Sequence, residues 1–216
     1  MRQLVRVVFG LAVACPCLAA PFQNGSFENA SVDPGGSFVT LADGSTQITG
    51  WTVISGDIDY IGLYWAASNG TRSLDLVGDQ NVGGVEQTFD TVPGATYQVS
   101  FDLAGNPQGP PAVKPLQVSA GAVVQNYTFD TTGKTLSDMG WVTHQLTFTA
   151  SGPTTTLSFV SDTTGLGCCY GAALDNVIVQ LVQLPAAAAP VPLEWSGPFA
   201  ALLILAAALL IYRRRR

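Results

Sequence analysis

The chain has 216 residues and a formal net charge of −6, and only 11% of its residues are charged. Arg2, Arg6 and the four terminal arginines lie at the two ends, so Arg72, Lys114 and Lys134 alone face the fifteen acidic residues between Ala20 and Glu194, a net charge of −12 there. Such a surface has no basic footprint for phosphates, which excludes nucleic acid as a partner, and it suits a calcium-containing extracytoplasmic setting.

Met1 to Arg6 is a short basic start, Val7 to Leu18 an apolar run, and Ala19-Ala20 a small-residue exit. This is the pattern of a secretory signal peptide, expected over residues 1–19. It would remove Cys15 and Cys17 and leave Cys168 and Cys169, adjacent in sequence. Neighbouring cysteines cannot staple distant strands through one ordinary bridge; they are free thiols, a vicinal disulfide or partners for another chain. Zinc would need two further ligands, and His144 is the only histidine.

Residues 20–183 read as one all-β domain. Tyr97, Val99, Phe101 and Leu103 alternate with polar neighbours, and the pattern recurs over His144–Thr149 and Thr154–Val160. Turn signals separate the segments: Pro34-Gly35-Gly36, Asp43-Gly44, Asn69-Gly70, Gly83-Gly84, Pro93-Gly94, Thr132-Gly133 and Ser151-Gly152-Pro153. Many short strands at this spacing predict a β-sandwich or jelly roll.

Within it, Asp57 to Gly70 gathers two aspartates, two tyrosines and a tryptophan beside a turn. Sugar recognition sets aromatic rings against C–H surfaces and gives hydroxyls to carboxylates and amides. Asp59, Tyr60, Tyr64 and Trp65 are therefore the candidate ligand residues, joined by Asn106 on the Asn106–Pro111 loop; the competing reading puts these aromatics in the core with Trp51 and Trp141. No catalytic set is expected. His144 sits in a strand pattern without a nucleophile elbow, and a glycosidase pair cannot be picked out of so many acids.

Residues 184–194, Leu184-Pro185-Ala186-Ala187-Ala188-Ala189-Pro190 and onward, have nothing worth burying and read as a tether. Trp195 to Tyr212 is apolar over 18 positions, roughly 27 Å as a helix, enough to cross a bilayer core. Trp195 and Tyr212 stand at its ends, and Arg213–Arg216 follow. The arginines place the tail in the cytoplasm and the β-domain outside the inner membrane.

The Pro-rich motif, apolar helix and arginine cluster resemble the PEP-CTERM type of sorting tail, in the variant with a Pro-Thr-Leu-x-x-Trp pattern; Pro190, Pro192, Leu193 and Trp195 carry the likeness, without the threonine. The resemblance implies an exosortase-like processing partner, the alternative being a permanent anchor. Asn24-Gly25-Ser26-Phe27-Glu28, Thr49-Gly50-Trp51-Thr52-Val53, Ser73-Leu74-Asp75-Leu76, Gly83 to Phe89, Pro93 to Pro107 and Ala173-Leu174-Asp175-Asn176-Val177 together resemble the choice-of-anchor C family of bacterial surface proteins. They are also similar to a plant cell-wall domain family of unknown function. The resemblance implies a galactose-binding-like jelly roll with first and last strands side by side, and a structural calcium on Glu28 and Asp175. The expected function is a non-enzymatic carbohydrate-binding module for cell-surface or extracellular polysaccharide; the alternative is a structural matrix or biofilm protein without a soluble ligand, with a glycan-active enzyme a distant third.

Overall fold

The computed structural model describes residues 20–79, 82–162 and 169–185. The signal segment, Cys168, the sorting motif and the apolar tail lie outside the described residues. Among those residues there are eleven strands and no helix: β1 (Phe38–Leu41), β2 (Thr52–Ile54), β3 (Ile58–Ile61), β4 (Ser73–Asp75), β5 (Gly84–Asp90), β6 (Thr96–Gly105), β7 (Val113–Ala120), β8 (Val123–Asp130), β9 (Val142–Thr149), β10 (Thr154–Ser161) and β11 (Ala172–Gln183). They form two sheets, one ordered β1-β3-β4-β11-β6-β9 and the other β2-β5-β10-β7-β8. All pairings are antiparallel, and the expected all-β sandwich is what the chain builds.

Side-chain alternation explains the core. Val99, Phe101 and Leu103 of β6 and Leu157 and Phe159 of β10 are buried on the facing sides of the two sheets. Phe101 meets Phe159 edge-on across them, with ring centroids 5.2 Å apart. Trp51 packs on Phe159 and Phe27 and donates its indole N–H to the Asn24 carbonyl at 2.9 Å. Truncating one of these rings removes contacts worth about 3–5 kcal/mol.

The opening Asn24-Gly25-Ser26-Phe27-Glu28 motif is a backbone device. The Asn24 amide donates to the carbonyls of Asn29 and Thr49, and its oxygen accepts the Asn29 N–H. A Cβ on Gly25 would lie 1.8 Å from the Val177 carbonyl oxygen, so only glycine lets this segment lie against β11, where Val177 N–H bonds Gly25 O at 2.8 Å. The register of β11 on β6 shifts between Asp175 and Ile178, at the point of that contact. First and last segments thus touch.

The outer face of the six-stranded sheet is unusual for carrying buried acids. Register aligns Thr40 of β1 with Asp59 of β3, Asp59 with Asp75 of β4, and Asp75 with Ala173 of β11. Two residues further along β11, Asp175 stands opposite Asp102 of β6, and Asp102 opposite Thr143 of β9. Strand positions of this kind normally face water; here all four aspartates are buried, Asp102 and Asp175 bonded to the segment between β3 and β4, and Asp75 to Asn106 and Gly171.

Candidate ligand site

Residues 62–72 form a strap over the sheet, fastened along its length. Gly62 and Leu63 donate N–H bonds to Ser37 and Gly35 carbonyls, and Ala66 donates to Leu136. The Trp141 indole donates to the Ala66 carbonyl at 2.9 Å. Asp175 Oδ2 accepts the N–H groups of Ser68 and Asn69, both at 2.8 Å, while Asp175 Oδ1 accepts that of Asn176. Ser68 Oγ, Thr143 Oγ1 and the Asn176 amide all donate to Asp102. Glu28 Oε1 accepts the N–H groups of Thr71 and Arg72, and its Oε2 the Thr71 hydroxyl. A Cβ on Gly70 would come within 2.3 Å of Glu28 Oε1, which explains the glycine at that bend.

Glu28 and Asp175 are the two residues that the family resemblance assigns to calcium. Every oxygen of the pair already accepts an N–H or O–H from the chain, which ties both carboxylates to the strap. Among the described residues no group of three His, Cys, Asp or Glu side chains is placed to hold a metal. Glu28 and Asp175 act here as hydrogen-bond acceptors that fasten the strap. Burial holds the Asp175 carboxyl up at about 7 even against its three N–H partners, because removing a carboxylate from water disfavours its charged form.

The strap leaves one end of the aspartate row open. There a cavity of about 190 Å³ is lined by Asp59, Asp75, Asp79, Tyr64, Trp65 and Asn106, with Phe38, Ile61, Gln108, Cys169 and Tyr170 completing its wall. Four of the five expected ligand residues, Asp59, Tyr64, Trp65 and Asn106, meet here. Tyr60 does not. Successive strand residues point to opposite faces, so Tyr60 enters the core and donates its hydroxyl to Phe27 O at 2.7 Å.

The members differ in what they have free. Trp65 is buried and donates its indole N–H to Ser73 Oγ at 2.8 Å, which makes it a wall. Tyr64 is half-buried, packs edge-on against Phe38 at 5.4 Å and donates its hydroxyl to Gln108 Oε1. Asn106 is a brace: its amide donates to Asp75 Oδ2 and to the Cys169 carbonyl, and its oxygen accepts the Gln108 N–H. Asp75 Oδ1 accepts the N–H groups of Val77 and Gly171, so Asp75 has both oxygens engaged. Among the described residues Asp59 accepts one bond, from Thr40 Oγ1 at 2.7 Å.

Burial pushes Asp59 up to about 6, against the Thr40 hydrogen bond and with the charges of Asp79 and Asp57 adding to the rise. Asp75, fully enclosed, is pushed up to about 7 by burial, against its bond from Asn106. Behind them Lys114, 0% exposed, reaches from β7 in the other sheet. Its ammonium donates to the carbonyls of Gly109 and Tyr170 at 2.8 and 2.7 Å, and burial lowers it to about 8. It thereby ties together the two loops that wall the cavity. Cys169 is disulfide-bonded, and its partner lies outside the described residues.

Residues 20–180 match the profile of DUF642, described as a protein of unknown function. The chain belongs to the DUF642 family. Halomucin of Haloquadratum walsbyi is 35% identical over 165 residues, 73% of this chain. The DUF642 chain spans 2% of halomucin's length. Among solved structures, a family 35 carbohydrate-binding module from Clostridium thermocellum is 12% identical, over 65% of this chain and 97% of its own, with a TM-score of 0.44. The CBM22-1 xylan-binding domain from Paenibacillus barcinonensis Xyn10C is 18% identical, over 71% and 99%, with a TM-score of 0.45. At these values neither likeness says anything about the cavity of the DUF642 domain.

Proposed function

We propose that the chain is an exported, surface-anchored protein whose DUF642 sandwich is a non-catalytic binding module for cell-surface or extracellular polysaccharide. The observation that carries the reading is the cavity at the end of the strap, where the rings of Phe38, Tyr64 and Tyr170 converge with Asp59, Asp79 and Gln108. Aromatic carbon for the C–H surface and a few polar groups for hydroxyls is what a sugar ring needs. At about 190 Å³ the cavity is below the ~300–1,000 Å³ of drug-sized pockets. It suits one sugar ring at a chain end better than a length of polymer.

Binding fits the residues better than catalysis does. Asp75, the carboxylate aligned with Asp59, has three of its roughly four acceptor positions taken by N–H groups, which ties it to the fold rather than to a substrate. His144 stacks on Phe101 and does not line the cavity. Export and anchoring rest on the sequence pattern of residues 1–19 and 190–216. The same pattern supports processing by an exosortase-like protease, with the Arg tail in the cytoplasm beforehand.

The test is affinity electrophoresis of the full-length chain, in detergent, through gels carrying a panel of polysaccharides. Retardation by one polymer, saturable by its own oligosaccharide, is the expected result. A folded chain that migrates unretarded in every gel removes the lectin reading.

One observation favours a structural matrix protein instead. β8 is an edge strand of eight residues whose only charge is Asp130, with Val124 59% exposed. A long uncharged edge is a template for pairing with a second copy. Concentration-dependent association by sedimentation, lost on introducing Val124→Lys, would support that role.

A further inference from the structure

Asp59, Asp75 and Asp79 line one small cavity, and among the described residues no Lys or Arg lines it with them. Asp75 accepts three N–H donors spread over both of its oxygens. Asp59 does not: it is 5% exposed, its Oδ1 takes the Thr40 hydroxyl, and its Oδ2 accepts no hydrogen bond among the described residues. Asp79 Oδ2 lies 3.5 Å from that same Thr40 hydroxyl, so the two carboxylates flank one weak donor. Lys114 offers no relief, because its ammonium is held by two carbonyls. A buried carboxylate with an open oxygen is costly unless a cation or donor completes it, and the raised proton affinity of Asp59 reports that cost.

A cation that completes this site is not a bare metal. Much of the wall is carbon, from Phe38, Ile61, Tyr64, Trp65 and Tyr170, and calcium needs oxygens on most sides. An ammonium group on a carbon ring suits both halves: its N–H donors reach carboxylates, and aromatic rings attract both its charge and its C–H surface. We infer that the cavity takes a sugar bearing a free amino group, with Asp59 and Asp79 accepting from its ammonium and the aromatic wall holding its ring. The inference rests on the glycan reading above and sharpens it from sugar to amino sugar.

Calorimetry of the full-length chain at physiological salt tests it, with glucosamine, N-acetylglucosamine and glucose oligomers of equal length and butylammonium as a sugar-free probe. Glucosamine oligomers should bind about tenfold or more tighter than either neutral series, the scale of one charge-assisted hydrogen bond. Asp59→Asn, which keeps an oxygen for Thr40, should erase that preference, and Asp79→Asn, at an exposed position, should reduce it without touching the fold. Asp90→Asn removes the same charge from a strand end outside the cavity and should change nothing. Equal affinity for amino and neutral sugars would overturn the amino-sugar inference and leave the glycan pocket standing. Binding of butylammonium as tight as glucosamine oligomers, with no neutral sugar bound, would overturn the glycan reading. A preference kept by Asp59→Asn, or lost equally in Asp90→Asn, would show attraction to the acidic surface only and overturn the inference. No heat with any ligand overturns both.

Discussion

Asp59 and Asp75 stand opposite one another in the register of β3 and β4, yet among the described residues Asp75 accepts N–H groups on both oxygens while Asp59 accepts a hydrogen bond on one alone. One of the pair holds the structure, and the other is the one we propose meets a ligand. The two isosteric substitutions should therefore behave differently. Asp75→Asn must turn an N–H₂ group against an existing N–H donor, which should cost about 1–3 kcal/mol. Asp59→Asn should leave stability within about 1 kcal/mol. Urea denaturation of both variants measures this, and equal losses would contradict the division of roles.

Acid titration should stabilise the fold. Asp59, Asp75 and Asp175 are raised from 3.8 to about 6, 7 and 7, so between about pH 4 and 7 the native state binds more protons than the unfolded chain. Stability is then greatest at the acid end of that window and falls as pH rises through it. His144 is lowered by burial and opposes this as a single group. The melting temperature should rise from pH 7.5 to pH 4.5. Ligand binding should run the other way: protonating Asp59 near pH 6 removes the open carboxylate, so affinity for an ammonium falls as pH drops through 6. The charges facing that site are Asp57, Asp75 and Asp79, with Lys114 behind it, and Asp75 protonates over the same range.

Metal removal should be silent. Glu28 and Asp175 are satisfied by N–H and O–H donors of the strap, so EDTA should leave the melting temperature unchanged. Asp175→Ala should nonetheless destabilise, by about 2–3 kcal/mol, because it leaves N–H groups of a partly buried turn unpaired. A melting temperature that drops in EDTA and recovers with calcium would overturn this assignment.

Gly25→Ala tests the meeting of the first and last segments. Its Cβ would fall 1.8 Å from Val177 O, and backbone on both sides leaves little room to yield. A loss on the order of 3 kcal/mol is expected, measured by denaturation. Gly36→Ala, with nothing within 4 Å of its Cβ, serves as the silent control.

Much of the sandwich was legible because alternation survives in the long strands β6, β9 and β10, where each side chain has one plain destination. The cavity was half legible. Asp59, Tyr64 and Trp65 stand within seven residues and draw attention by composition, but treating them as one group overlooked the two-residue period that sends Tyr60 to the core. Asp75 and Asp79 carried no signal. Ser73-Leu74-Asp75 reads as an ordinary strand with its acid in water, and only partners more than thirty positions away, Asn106 and Gly171, enclose it. Phe38, Gln108 and Tyr170 reach the cavity through register and loop contacts between distant segments, which one sequence does not record. Lys114 was readable and missed: it shares a strand face with Leu116 and Val118, which places it inside.

The most direct test of the central claim compares the wild-type chain with Tyr64→Ala and Asp59→Asn in a gel of the polysaccharide that retards the wild type. If the cavity is the binding site, both variants stay folded, with a cooperative melting transition, and lose the retardation. Folded variants that migrate as slowly as wild type would place the ligand elsewhere on the sandwich and contradict the account.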